Sequence, residues 1–144
     1  MNPIRKALKN PSYPHAVVGH CYWCMGGDVT DPHTSQSVTR RVRECHLCDC
    51  PLWLVRPWRT KDQQKADSGL AGECRARRPR LDLIEIARRT RETAYANPAS
   101  KKRALLALCW QCLQQAPKNC GITGCPVYPV RGGKKIDSDD LNDV

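Results

Sequence analysis

The chain contains no phenylalanine, only two methionines, and no apolar run long enough to cross a bilayer. Aromatic residues make up 6% of its 144 positions and the apolar ones come in short runs, which excludes a large hydrophobic core. Halves of about 70 residues rarely hold together on an apolar core alone and call for a staple. The opening "MNPIRKALKNPSYPHAVVG" lacks the apolar stretch of a secretory signal, so the expectation is a soluble cytoplasmic protein with no membrane partner. No Ser/His/Asp or Cys/His arrangement has supporting context, which argues against an enzyme and against a small-molecule substrate.

What the chain has in abundance is cysteine and positive charge. Ten cysteines in a reducing compartment, several spaced as Cys-x2-Cys, point to metal thiolates over disulfides. One phrase is written twice: "CHLCDCPLWLVR" at 45–56 and "CGITGCPVYPVR" at 120–131. The two align Cys45 with Cys120, Cys50 with Cys125, Pro51 with Pro126, Trp53 with Tyr128 and Arg56 with Arg131. Each follows a Cys-x2-Cys pair, at Cys21 and Cys24 and at Cys109 and Cys112.

Four thiolates satisfy a zinc ion tetrahedrally and leave no open position for catalysis. The spacing therefore predicts two structural zinc ions, one on Cys21, Cys24, Cys45 and Cys50, the other on Cys109, Cys112, Cys120 and Cys125. Cys48 complicates the first set, because "CHLC" offers a second Cys-x2-Cys. The repeat register, which puts Thr123 at the equivalent place, favours Cys50 and leaves Cys48 as an alternate ligand or nearby free thiol. Cys74 stands alone and reads as free. His20 and His46, each beside a predicted ligand, read as exposed or supporting groups.

The predicted fold class is a small α+β or irregular metal-stapled protein, with two zinc-knuckle modules of four cysteines each, joined by a basic linker and an α-helix. Residues 1–60 form the first module with its N-terminal extension, in which Pro11, Pro14 and Gly19 argue against a long regular helix and "GGDVTDPHTSQS" reads as a surface loop. Residues 61–80 read as an exposed basic connection. Residues 81–135 hold a helix pair and the second module. Leu83, Ile84, Ala87, Ala94 and Tyr95 give the first helix an apolar stripe that Asn97 and Pro98 stop, and Ser100 caps the second, which carries Cys109 and Cys112 on one face. Residues 136–144 form an acidic tail.

All 24 basic residues but only ten of the 14 acidic ones fall within 1–135, a formal charge of +14 on the body against +10 for the chain. That balance favours a polyanionic partner. The candidate nucleic-acid-binding residues are Arg40, Arg41, Arg43, Arg56, Arg59, Arg75, Arg77, Arg78, Arg80 and Arg131, since guanidinium suits phosphate and base edges. Arg91 is a further uncompensated charge, and Trp58, set in "RPWR", is either a core residue or a platform for an unpaired base. Arg56 and Arg131 also admit a structural account, as charges placed beside the cysteine sites.

The run Cys-x2-Cys, loop, Cys-x4-Cys-Pro-Leu-Tyr-Pro-x-Arg resembles a motif of small uncharacterised bacteriophage and prophage proteins, where it occurs once per chain. "CGITGCPVYPVRGG" is the closer copy, and Leu54 replaces the proline of the pattern in the other. The resemblance implies phage or prophage origin, hence a bacterial host cytoplasm, and metal binding, and it carries no activity with it. The resulting expectation is a zinc-binding, phage-type nucleic-acid-binding regulator. The alternative is an inhibitor or adaptor that binds a host protein machine, a defence complex or RNA polymerase, through the same basic face.

Overall fold

The computed structural model describes residues 1–77, 83–97 and 99–133, without the side chains of residues 75–77. These residues form six α-helices: α1 (Pro3–Lys9), α2 (Tyr13–Cys24), α3 (Gln36–Arg43), α4 (Lys61–Arg77), α5 (Glu85–Ala96) and α6 (Lys101–Leu113). Three short 3-10 turns, Trp53–Val55, Pro117–Asn119 and Tyr128–Gly133, complete the order. There is no strand among the described residues, which corrects the expected α+β class to an all-helical one. The repeated phrases, the natural place for short hairpins, instead close 3-10 turns through hydrogen bonds between residues three apart.

The helices begin and end where local chemistry requires. Ser12 caps α2 by accepting from the His15 N–H at 3.1 Å, and Ser100 caps α6 by accepting from the Arg103 N–H at 3.2 Å. Pro14, expected to disfavour a helix, falls in the first turn of α2, where its missing N–H has no intrahelical acceptor to lose. The helix runs for twelve residues in all, correcting the irregular reading of this segment. At the other end Gly26 adopts φ 98°, the Gly26 N–H donates to the Trp23 carbonyl and the Gly27 N–H to the Tyr22 carbonyl, the paired bonds of a Schellman cap.

The loop after α2 is tied down. Asn2, itself buried, caps α1 and donates to the carbonyls of Asp28 at 2.7 Å and Asp31 at 3.1 Å, and the Tyr22 hydroxyl donates to the Asp31 carboxylate at 2.8 Å.

The expected exposed connection is a 17-residue helix, α4. Its inward positions are Asp67, Ala71 and Cys74, all buried and spaced i, i+4, i+7. That stripe carries a carboxylate and a thiol in place of apolar groups, so hydrophobic periodicity could not reveal it. Residues 78–80, the end of the basic connection, lie outside the described residues, as does the acidic tail.

One small core joins the two cysteine modules. Ala16 and Val17 of α2, Ala104 and Leu105 of α6, Leu52 of the first knuckle, and Val127 and Val130 of the second pack together, with Cys21, Cys50, Cys109 and Cys125 against them. Gly19 marks the closest approach: a Cβ placed there would lie 2.9 Å from the Cβ atoms of both Ala7 and Pro126. The helix of the first module thus packs against the knuckle of the second.

Candidate functional site

The two copies of the repeated phrase fold alike. The Cys50 N–H donates to the Leu47 carbonyl at 2.9 Å and the Cys125 N–H to that of Ile122 at 3.1 Å. The Trp53 N–H then donates to Cys50 at 3.0 Å, the Tyr128 N–H to Cys125 at 2.9 Å. Each arginine folds back on the aromatic ring three residues before it, Arg56 at 4.8 Å from the Trp53 centroid and Arg131 at 4.1 Å from that of Tyr128. Both donate from Nη1 to that aromatic residue's own carbonyl at 2.9 Å. The phrase therefore encodes a turn locked by an arginine stacked on an aromatic ring, with the apolar residue just before that ring, Leu52 or Val127, buried in the core.

The cysteines lie near one another without forming the predicted metal sites. Cys21, Cys24, Cys45 and Cys50 line one apolar hollow of about 30 Å³ beside His20, Leu52 and Trp53. Burial pushes the Cys21 thiol far up and that of Cys50 to about 11, with neighbouring cysteines adding to both. Burial likewise raises Cys24 and Cys125. Protonated thiols in such surroundings pack as small apolar groups.

Among the described residues no three of His, Cys, Asp and Glu are arranged to hold a metal ion. The expectation of two zinc ions, on Cys21, Cys24, Cys45 and Cys50 and on Cys109, Cys112, Cys120 and Cys125, is corrected on that ground.

Cys48, read as an alternate ligand or free thiol, and Cys74, read as free, are joined in a disulfide with Cα atoms 6.1 Å apart, pinning α4 to the first knuckle. The preference for metal thiolates over disulfides is corrected with them. His20 is half-buried, edge-on to Trp23, and burial lowers its pKa to about 4.

The predicted binding arginines divide into inward and outward groups. Arg56 is buried: its Nε and Nη2 donate to the carbonyls of Val42 and Arg43 at 3.1 and 3.0 Å, and its Nη1 meets the Asp67 carboxylate at 2.9 Å. Arg59 shares that carboxylate at 3.0 Å. Its Nε donates to the Arg56 carbonyl at 3.1 Å and its Nη2 to that of Leu54, so it clamps the turn between them. Arg131 is partly covered by its stack on Tyr128. Arg91, expected outside, is buried and donates to the Asp49 carbonyl at 3.1 Å, beside the Tyr95 hydroxyl that donates to the same oxygen at 2.8 Å.

Arg40 and Arg41 point outward from α3, whose Val38 and Val42 are buried, and Arg43 is half-exposed. Lys101, Lys102 and Arg103 are exposed on the first turn of α6. None of the ion pairs among the described residues involves α3 or these three. Arg88 and Arg89 are also exposed, but Arg89 pairs with Glu85 at 2.8 Å. Arg75 and Arg77 sit on the last turn of α4 with side chains outside the described residues, and Arg78 and Arg80 lie wholly outside them.

Asp67 is the functional partner that sequence reading missed, hidden in a segment read as linker. A usable signal existed in the i, i+3 aromatic–arginine pair written twice, which marks Arg56 and Arg131 as parts of a turn before any ligand is considered. No family model, no curated protein and no solved structure matches this chain.

Proposed function

We propose that the protein is a nucleic-acid-binding regulator that contacts phosphates through α3 and the neighbouring exposed basic residues. The observation that carries this reading is the division of the arginines. Arg56, Arg59 and Arg91 are drawn inside onto carbonyls and Asp67, whereas Arg40 and Arg41 stay exposed on an amphipathic helix without a described acidic partner, Arg41 meeting only the Ser37 carbonyl of its own helix at 3.4 Å, in a chain of net charge +10. Exposed guanidinium groups of this kind suit phosphate oxygens, and their binding strength depends on counterion release. The motif resemblance to small phage proteins belongs to the same proposal.

The test is a salt titration of binding to duplex DNA, single-stranded DNA and RNA of equal length. Binding weakens steeply with salt, and Arg40→Ala with Arg41→Ala flattens the slope by about 1.8 on duplex, at about 0.9 per phosphate contact. Absence of salt-dependent binding to all three probes would overturn the reading.

A second reading rests on a different feature. Trp23, Val29 and Ile122, each between 44% and 49% exposed, surround a cavity of about 260 Å³ together with Ile4. Clustered exposed apolar residues favour a protein partner. In that reading Trp23→Ser abolishes co-purification of a host protein from nuclease-treated extract, while Arg40→Ala leaves it intact.

A further inference from the structure

The turn that Arg59 clamps holds Trp58 in an unusual state. Its φ is 66°, in the left-handed region that a bulky side chain avoids, and 37% of the residue remains exposed. Such a conformation persists only where the surroundings over-determine it. Here they do. Arg59, the residue after the tryptophan, reaches back to the carbonyls of Leu54 and Arg56 ahead of it and is itself held by Asp67, while Pro57, the residue before the tryptophan, has its own φ fixed. The fold thus holds an indole at the surface, where the ring itself gains least from burial.

The ring borders a groove of about 520 Å³, within the range of about 300–1,000 Å³ usual for small-molecule sites. Val17, Val18, Leu54 and Val55 contribute its apolar lining. Lys101 stands on its rim, exposed and outside every described ion pair. Among the described residues no aspartate or glutamate lines it. Arg56 and Arg59 share the single carboxylate of Asp67, so that buried triad retains one positive charge behind the groove. Ala99 and Lys101 bring the N-terminal end of α6, the positive end of its dipole, to the same place.

We infer that this groove takes an unpaired nucleobase of a single strand, stacked on Trp58, with the adjoining phosphate on Lys101. An aromatic face beside an uncompensated cation is the composition that binds single strands without regard to sequence. A duplex keeps its bases stacked away from such a platform. The inference rests on the nucleic-acid reading above and assigns it a strand form and a second contact apart from α3.

The test measures binding of a 20-nucleotide oligothymidylate and of an abasic oligomer of equal length and charge. Trp58→Gly suits the positive φ and preserves the fold, which a thermal melt verifies. It weakens oligothymidylate binding by about 5- to 150-fold, the equivalent of one lost stacking contact, and leaves abasic binding unchanged. Trp58→Phe retains most of the affinity, and Lys101→Ala reduces the single-strand salt slope by about 0.7.

Equal loss on both oligomers would overturn the stacking role. Unchanged oligothymidylate affinity in a folded Trp58→Gly protein would overturn the site while leaving the binding activity of α3 standing. Wild-type protein that binds neither oligomer, nor duplex, would overturn both readings together.

Discussion

Set side by side, the two halves of the molecule are one plan carried out twice and then altered once. α1 and α2 lead into the first knuckle as α5 and α6 lead into the second. Asn10 and Asn97 end the leading helices at nearly the same backbone angles, φ −126°, ψ 73° and φ −128°, ψ 64°. Ser12 and Ser100 then open the cysteine helices with the same cap. Among the described residues, the first half adds α3 between its cysteine helix and its knuckle and α4 after it. The second reaches its knuckle through a short 3-10 turn, Pro117–Asn119.

The insertion changes what the same arginine does. The carbonyls of Val42 and Arg43 at the end of α3 receive Arg56, and α4 supplies Asp67, so the charge is drawn inside. Arg131 has the ring and the turn carbonyl, but its buried Nε finds no protein acceptor among the described residues. A shared sequence phrase thus fixes the turn, and the surrounding elements decide whether its arginine is structural. The elements added to the first half also bring the exposed arginines of α3, the strained Trp58 turn and the disulfide.

The sharpest break in the symmetry is expected at Asp67. Asp67→Ala leaves Arg56 buried with its charge unpaired and destabilises the protein by about 3–5 kcal/mol. Arg131→Ala in the other knuckle costs about 1 kcal/mol, the scale of a single cation–π stack. Urea unfolding of both variants reads the difference directly.

Next in size is the disulfide. Cys48→Ser removes a cross-link between residues 26 apart in sequence and lowers stability by about 3 kcal/mol. Reductant brings the wild-type protein down to the level of that variant and leaves the variant unchanged, which thermal melts with and without dithiothreitol would measure. Thr123, at the equivalent place in the second copy, has no such role, and Thr123→Ser leaves stability within about 0.5 kcal/mol of wild type.

The smallest effects sharpen the likeness between the halves. Ser12→Ala and Ser100→Ala each cost about 1 kcal/mol, the usual loss of a helix N-cap. Near-equal losses in denaturant titrations fit a duplicated helix start, and a large cost at one serine alone contradicts it.

The sequence made the second half more legible than the first. Ser100 as a cap, the α6 cysteine helix and the stripe residues Leu83, Ala87, Ala94 and Tyr95 appear where pattern and capping chemistry place them, whereas Ile84, read in the same stripe, is the exposed N-cap of α5. α2 was obscured because proline was weighed without its position in the first turn. α4 was obscured because its inward face is made of an ion-pair carboxylate, an alanine and a disulfide sulfur, none of which registers as hydrophobic period. At the cysteines, spacing disclosed proximity but not a metal-holding group, which is absent among the described residues. Arg56, Arg59 and Arg91 looked like surface charge because their acceptors are mostly backbone carbonyls and a carboxylate distant in sequence.

The first half is held to carry the nucleic-acid contacts on α3 and the Trp58 turn, with Lys101 at the start of α6 the one contact assigned to the second half. Salt titration of single-stranded DNA binding by two double variants tests this division most directly, one with Arg40→Ala and Arg41→Ala on α3, the other with Arg88→Ala and Arg89→Ala on α5. The α3 variant is expected to flatten the slope by about 1.4, at about 0.7 per phosphate contact, and the α5 variant to leave it unchanged. Equal flattening by both, or a loss confined to α5, would contradict the account.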